Sequence, residues 1–71
     1  MKRLFAANRI ITPDLGELKP GVVELEGSSV SRFYQLNGEQ PFTEWIGGTI
    51  SVEKMADGSM QAYKDGVLLK A

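Results

Sequence analysis

Ser51-Val-Glu-Lys54 has the Ser-x-x-Lys spacing in which a lysine can activate a serine nucleophile. Glu24 and Glu26 are two carboxylates close enough in sequence to share acid and base duties. These are the two patterns in this 71-residue chain whose residue types suggest chemistry. Both have a plainer reading. Residues 51 and 54 of an extended segment point to opposite sides of it. Glu24 and Glu26 alternate with Val23 and Leu25, as the outward polar face of an amphipathic strand would. Asp57 and Asp65 each precede a glycine, which is turn chemistry without calcium-loop spacing. The sequence contains neither His nor Cys, which removes the usual general base and the common nucleophile pairings. Zinc, iron and copper sites rarely form without those two residue types, and disulfides cannot form. No catalytic, metal or cofactor residue is assigned, and a non-enzymatic protein without a cofactor is the expectation.

The aromatic residues suggest contact rather than catalysis. Trp and Tyr are enriched in binding hot spots. Phe42 and Trp45 sit in "PFTEW", between strands and beside a proline. An exposed Phe42/Trp45 pair, with Tyr34 and Tyr63, forms the candidate contact surface, with core packing as the competing reading for each. Three roles follow: a self-association or protein-interaction module, an accessory domain docking on an enzyme, or a small β barrel holding a ligand among Tyr34, Trp45 and Tyr63. A homodimer is the simplest partner arrangement, because a domain this small has a thin core and gains from association.

The elements that must carry these residues are short. Gly and Pro recur from Pro13 to Gly66, leaving few windows for an ordinary helix. The intervening runs are rich in residues that suit a pleated surface. Six strands are expected, at about 3–12, 22–26, 30–36, 44–54, 60–64 and 67–70. Pro20-Gly21 suits a type II turn, and Asp65-Gly66 a two-residue hairpin turn. Gly47-Gly48 lacks the helix and lysine of a phosphate loop and reads as a bend where the sheet folds over. The spacings Leu4/Ala7/Asn8/Ile11 and Val30/Phe33/Tyr34 also fit helical stripes, but their neighbouring turns favour strands. The fold expected over residues 1–71 is a single all-β domain, a meander closing into a small folded-over sheet or pseudo-barrel.

Charge adds exclusions. Eight basic and nine acidic residues are interleaved to a net charge of −1. That pattern is a solvated surface rather than the concentrated positive stripe that nucleic acid requires. The longest apolar runs are far short of the about 20 residues of a spanning helix. Leu4 to Ala7 is too short for a signal core, so a cytoplasmic location without nucleic-acid or membrane partners is expected.

The stretch "FAANRIITPDLGELKPGVVELEGSSVSRF" resembles the N-terminal strands of the amidohydrolase superfamily, the cytosine deaminase and dihydroorotase type of enzyme. The resemblance runs through Ala7 to Pro13, Gly21 to Gly27 and Val30 to Phe33. "EWIGGTI", Glu44 to Ile50, is similar to the strand that enters the catalytic barrel in that family. "AYKDGVLL", residues 62–69, is similar to the strands that close its small β domain. The resemblance implies the composite β domain with its barrel left out and its halves joined near residues 51–58. The family's metal ligands are barrel His and Asp residues with a carboxylated Lys, and no position here matches them.

Overall fold

A computed structural model describes residues 2–38 and 40–71. The chain is all-β, with no helix among the described residues and hence none long and apolar enough to cross a membrane. Among the described residues nine short strands form: β1 (Lys2–Ala7), β2 (Arg9–Ile11), β3 (Glu17–Leu18), β4 (Gly21–Glu26), β5 (Ser29–Gln35), β6 (Thr43–Trp45), β7 (Thr49–Lys54), β8 (Met60–Lys64) and β9 (Val67–Leu68). They make a four-stranded sheet, ordered β5-β4-β1-β6, and a five-stranded sheet, ordered β3-β2-β7-β8-β9.

Two of the six expected strands are each split in the middle. The first breaks at Asn8 into β1 and β2, and the fourth breaks over residues 46–48 into β6 and β7. The two broken strands run side by side. β1 pairs with β6 in parallel, and β2 pairs with β7 in parallel. Both therefore pass from one sheet to the other at the same level. Parallel pairing replaces the simple meander that the sequence suggests.

Local chemistry fixes this crossing. Gly47 and Gly48 both have left-handed backbones, at φ 67° and 66°, which glycine adopts without a Cβ penalty. The Gly48 N–H donates to Asn8 Oδ1 at 2.8 Å, and the Arg9 N–H donates to the Gly48 carbonyl at 3.1 Å. These bonds satisfy backbone groups that the broken ladders leave unpaired.

The core lies between the sheets. Phe5, Ala7, Val23, Leu25 and Val30 come from one sheet, and Ile10, Ile50, Val52 and Ala62 from the other. Fully burying a residue such as Leu25 or Ile50 contributes about 1.5–3 kcal/mol. Val30 and Phe33 both pack on this core although they are three residues apart. A β-bulge explains the phase: Glu24 pairs with Arg32 but Leu25 pairs with Val30, which leaves Ser31 as the extra residue.

The loop expected at residues 13–21 contains structure. β3 pairs with β2, and its turn is closed by Thr12, whose hydroxyl accepts from the Leu15 N–H at 2.8 Å and donates to the Gly16 carbonyl at 2.8 Å. The expected type II turn at Pro20-Gly21 does not form. Gly21 lies in β4 without positive φ, and the Lys19–Pro20 peptide is cis. Glycine is needed there for space, since a Cβ would stand 2.9 Å from Leu18 Cβ and closer still to Ile10. The Asp65-Gly66 hairpin forms as expected, with φ of 53° and 78° in the type I′ pattern.

Candidate contact surface and crossover cavity

β5 and β6 are the two edges of the four-stranded sheet, so residues 36–42 must carry the chain from one edge to the other. The Leu36 N–H donates to the Pro20 carbonyl at 2.9 Å where this crossover begins. The Ile46 N–H donates to the Ala6 carbonyl at 2.9 Å beyond its far end.

Register places one row of side chains on the sheet face turned away from the core. Tyr34 is opposite Val22, Val22 opposite Ala6, and Ala6 opposite Trp45. Residues in register share a face. Val22 and Ala6 are buried but stand outside the inter-sheet core cluster. Residues of the crossover meet Ala6 around a cavity of about 520 Å³ lined by Ala6, Leu36, Gly38, Gln40, Pro41, Thr43 and Trp45. Ala6 has the smallest side chain in its row, and it leaves room beside the Trp45 indole.

The sequence-derived contact residues fall in different places. Phe42 is 95% exposed at the end of the crossover, and its φ of 58° is left-handed. Such a backbone costs a non-glycine residue about 1–2 kcal/mol. Trp45 is 57% exposed on the edge strand β6 and walls the cavity. Tyr34 is half-buried on β5 and joins the crossover by accepting a hydrogen bond from Gln40 Nε2. Arg32 lies over its ring, 5.3 Å from the centroid. Tyr63 belongs to β8 in the other sheet, donates to Gln61 Oε1 at 2.9 Å, and does not line the cavity. A ligand held among Tyr34, Trp45 and Tyr63 is therefore not what the fold offers. Phe42, Trp45 and Tyr34 all attach to the crossover, and Tyr63 is separate from it.

Glu24 corrects the expectation of a solvated polar face. It shares the outward face with Glu26 but is buried. The bulge at Ser31 turns two partners onto it: Ser31 Oγ donates to Oε1 at 2.8 Å, and Arg32 Nε donates to Oε2 at 3.1 Å. Lys2 Nζ lies 3.6 Å from Oε1. The Ser31 hydrogen bond holds the Glu24 carboxyl below its ordinary pKa, opposed by desolvation and aided by Arg32 and Lys2. A general acid needs the opposite shift, and both Glu24 oxygens are already engaged by this cluster. Ser51 and Lys54 lie on β7 opposite Tyr63 and Met60 respectively, three residues apart and on opposite faces.

Gln40, Thr43, Leu36 and Ala6 complete the cavity wall and are missed by the sequence reading. "NGEQP" carries only turn signals, and nothing in its spacing marks a segment that crosses a sheet. Asn8, which looks like part of a continuous strand or stripe, is the side chain that stitches the crossing. Compared with family models, curated proteins and solved structures, the chain matches none.

Proposed function

We propose that this chain is a non-catalytic β module that associates with another protein chain through Phe42 and the neighbouring edge of β6. The carrying observation is Phe42 itself, a large apolar side chain almost fully in water on a backbone conformation that disfavours it. Strain of that kind persists where the surroundings over-determine it, and it clusters at binding and switch regions. Trp45 extends the apolar surface, and β6 is an edge strand open to further pairing. Six of the eight basic residues (Lys2, Arg3, Arg9, Lys19, Arg32 and Lys64) are in ion pairs with carboxylates, which favours a protein partner over a polyanion.

A second copy is the simplest partner. A standard interface takes about 800 Å² from each side, close to a fifth of the 4315 Å² accessible here. The Phe42/Trp45 patch is smaller than that, so self-association through it is weak and concentration-dependent.

A second reading is the accessory role implied by the amidohydrolase resemblance, in which the partner is a hydrolase-type barrel on another chain. Its support is the interleaving of early and late strands, with β2 between β3 and β7 in one sheet. Photo-crosslinking distinguishes the readings. With p-benzoylphenylalanine in place of Phe42, irradiation in cells should give one discrete adduct, whose mass identifies a second copy or a larger chain. The same probe at exposed Val67 should not. Identical diffuse labelling from both positions would refute a contact surface at Phe42.

A further inference from the structure

We propose that Asn37-Gly38, at the start of the crossover, is a site of spontaneous deamidation in which the Gly38 backbone nitrogen attacks the Asn37 side-chain amide. The new N–C bond closes a five-membered succinimide. The bond to the side-chain nitrogen breaks, and that nitrogen leaves as ammonia with the proton from the Gly38 amide. Water then opens the ring at either carbonyl, leaving an aspartyl or an isoaspartyl residue. Water is the only co-reactant. Asparagine is among the thermolabile residues for this reason. Glycine is the following residue that favours the attack most, because without a Cβ its nitrogen is least shielded and its backbone is freest to turn.

The chain has two asparagines, Asn8 and Asn37, and two further acid-glycine pairs, Asp57-Gly58 and Asp65-Gly66, and the fold ties down all but Asn37. Asn8 Oδ1 accepts from the Gly48 N–H at 2.8 Å, and the next nitrogen, that of Arg9, donates to the Gly48 carbonyl at 3.1 Å. Asp57 Oδ1 accepts from the Ser59 N–H at 2.9 Å and the Ser59 hydroxyl at 2.6 Å, which lowers its pKa and favours the ionised form that resists attack. The Gly58 N–H is bonded to the Met55 carbonyl at 3.0 Å. Asp65 is ion-paired with Lys64 at 2.9 Å within its hairpin. Asn37 and Gly38 are exposed and lie outside every strand. Among the described residues neither the Asn37 amide nor the Gly38 N–H has a hydrogen-bond partner, although Gln35 and Gln40 on either side do. Gly38 has a φ of 73°, and apart from its chain neighbours no described residue stands within 4 Å of where its Cβ would lie. Closing the ring therefore breaks no bond and displaces no packed group among them. The isoaspartyl product routes the main chain through the former side-chain carbon. The crossover then gains one backbone atom between Leu36, bonded to the Pro20 carbonyl, and Phe42.

The test incubates the full folded chain in neutral and mildly alkaline buffer, beside a free peptide with the sequence of residues 35–40. Samples are digested with trypsin and followed by mass spectrometry. Cleavage after lysine and arginine places Asn8 in peptide 4–9 and Asn37 in peptide 33–54, so each asparagine is read separately. A carboxyl methyltransferase that labels isoaspartyl groups identifies the ring-opened product. Peptide 33–54 should gain the mass of amide-to-acid conversion and take the label, while peptide 4–9 should do neither. The rate should rise with pH, because the attacking nitrogen must lose its proton. The rate in the folded chain should lie within about tenfold of the free peptide's, since greater protection would require more than about 1.4 kcal/mol of native structure to open first. Asn37→Ser should remove both the conversion and the label. A folded chain that leaves peptide 33–54 intact while the free peptide converts would overturn the proposal. So would conversion that survives Asn37→Ser, or equal conversion of peptide 4–9.

Discussion

Replacing Gly48 tests whether the two parallel strands cross between sheets as described. Gly48 sits at φ 66°, where an L side chain meets its own backbone, and the conformation costs about 1–2 kcal/mol. A Cβ there would stand 3.2 Å from Lys64 Cε, the flexible part of a long side chain, which can move aside at little cost. The backbone term therefore decides the outcome. In a domain of this size, 1 kcal/mol shifts the melting temperature by about 4–8 °C. Gly48→Ala should thus lower it by about 4–16 °C, and the β-branched Gly48→Val by more. Gly48→Asn should do least harm, because asparagine tolerates the left-handed region. Asn8→Ala removes the bond to the Gly48 N–H and should cost about 0.5–1.5 kcal/mol. Gly48→Ala keeps the backbone N–H that donates to Asn8, so Asn8→Ala should also destabilise the Gly48→Ala background. Thermal melts followed by circular dichroism, with urea titrations, measure all of these. Alanine, valine and asparagine variants that melt together, or an Asn8→Ala variant as stable as the wild type, would refute the crossing.

Further outcomes follow from individual residues. Gly21→Ala should cost about 1–3 kcal/mol by overpacking against Leu18 and Ile10, seen as a lower urea midpoint with unchanged slope. Phe42→Gly should raise stability or leave it unchanged, because it relieves the left-handed strain and removes no buried surface; a clear loss would mean that Phe42 packs within the monomer. Glu24 has a folded pKa below its ordinary value of 4.5, so its ion-paired form contributes stability above that pH. That contribution is lost as pH falls through the lower folded value. The urea midpoints of wild type and Glu24→Gln should therefore differ at pH 7 and converge in acid, and a gap that widens in acid would contradict the cluster.

The strand content was legible because Gly and Pro leave little room for helices, and the Asp65-Gly66 hairpin was legible because its chemistry is local. The topology was not. Ala7 and Ile10, like Val30 and Phe33, are three apart and both face the core, which in sequence resembles a helical stripe. The cause is a strand break at Asn8 in one case and a bulge at Ser31 in the other. Both devices add a residue out of phase, and only the partner strand reveals them. The bend at Gly47-Gly48 could be read from its glycines, but its pairing with Asn8, some forty residues away, could not. Phe42 and Trp45 were recognisable by type, whereas the cavity beside them depends on residues 36–43 crossing a sheet face. Glu24 looked solvated because alternation alone placed it outward, and Ser31 reaches it only through the bulge.

Sedimentation equilibrium across a wide concentration range, on wild type, Phe42→Ser and Val67→Ser, bears most directly on a contact surface at Phe42. Wild type and Val67→Ser should associate reversibly at high concentration, or with the chain captured by crosslinking at Phe42, while Phe42→Ser stays monomeric and folded. Equal association by all three proteins would place the contact elsewhere, and a strictly monomeric wild type that captures no chain would contradict an interaction module altogether.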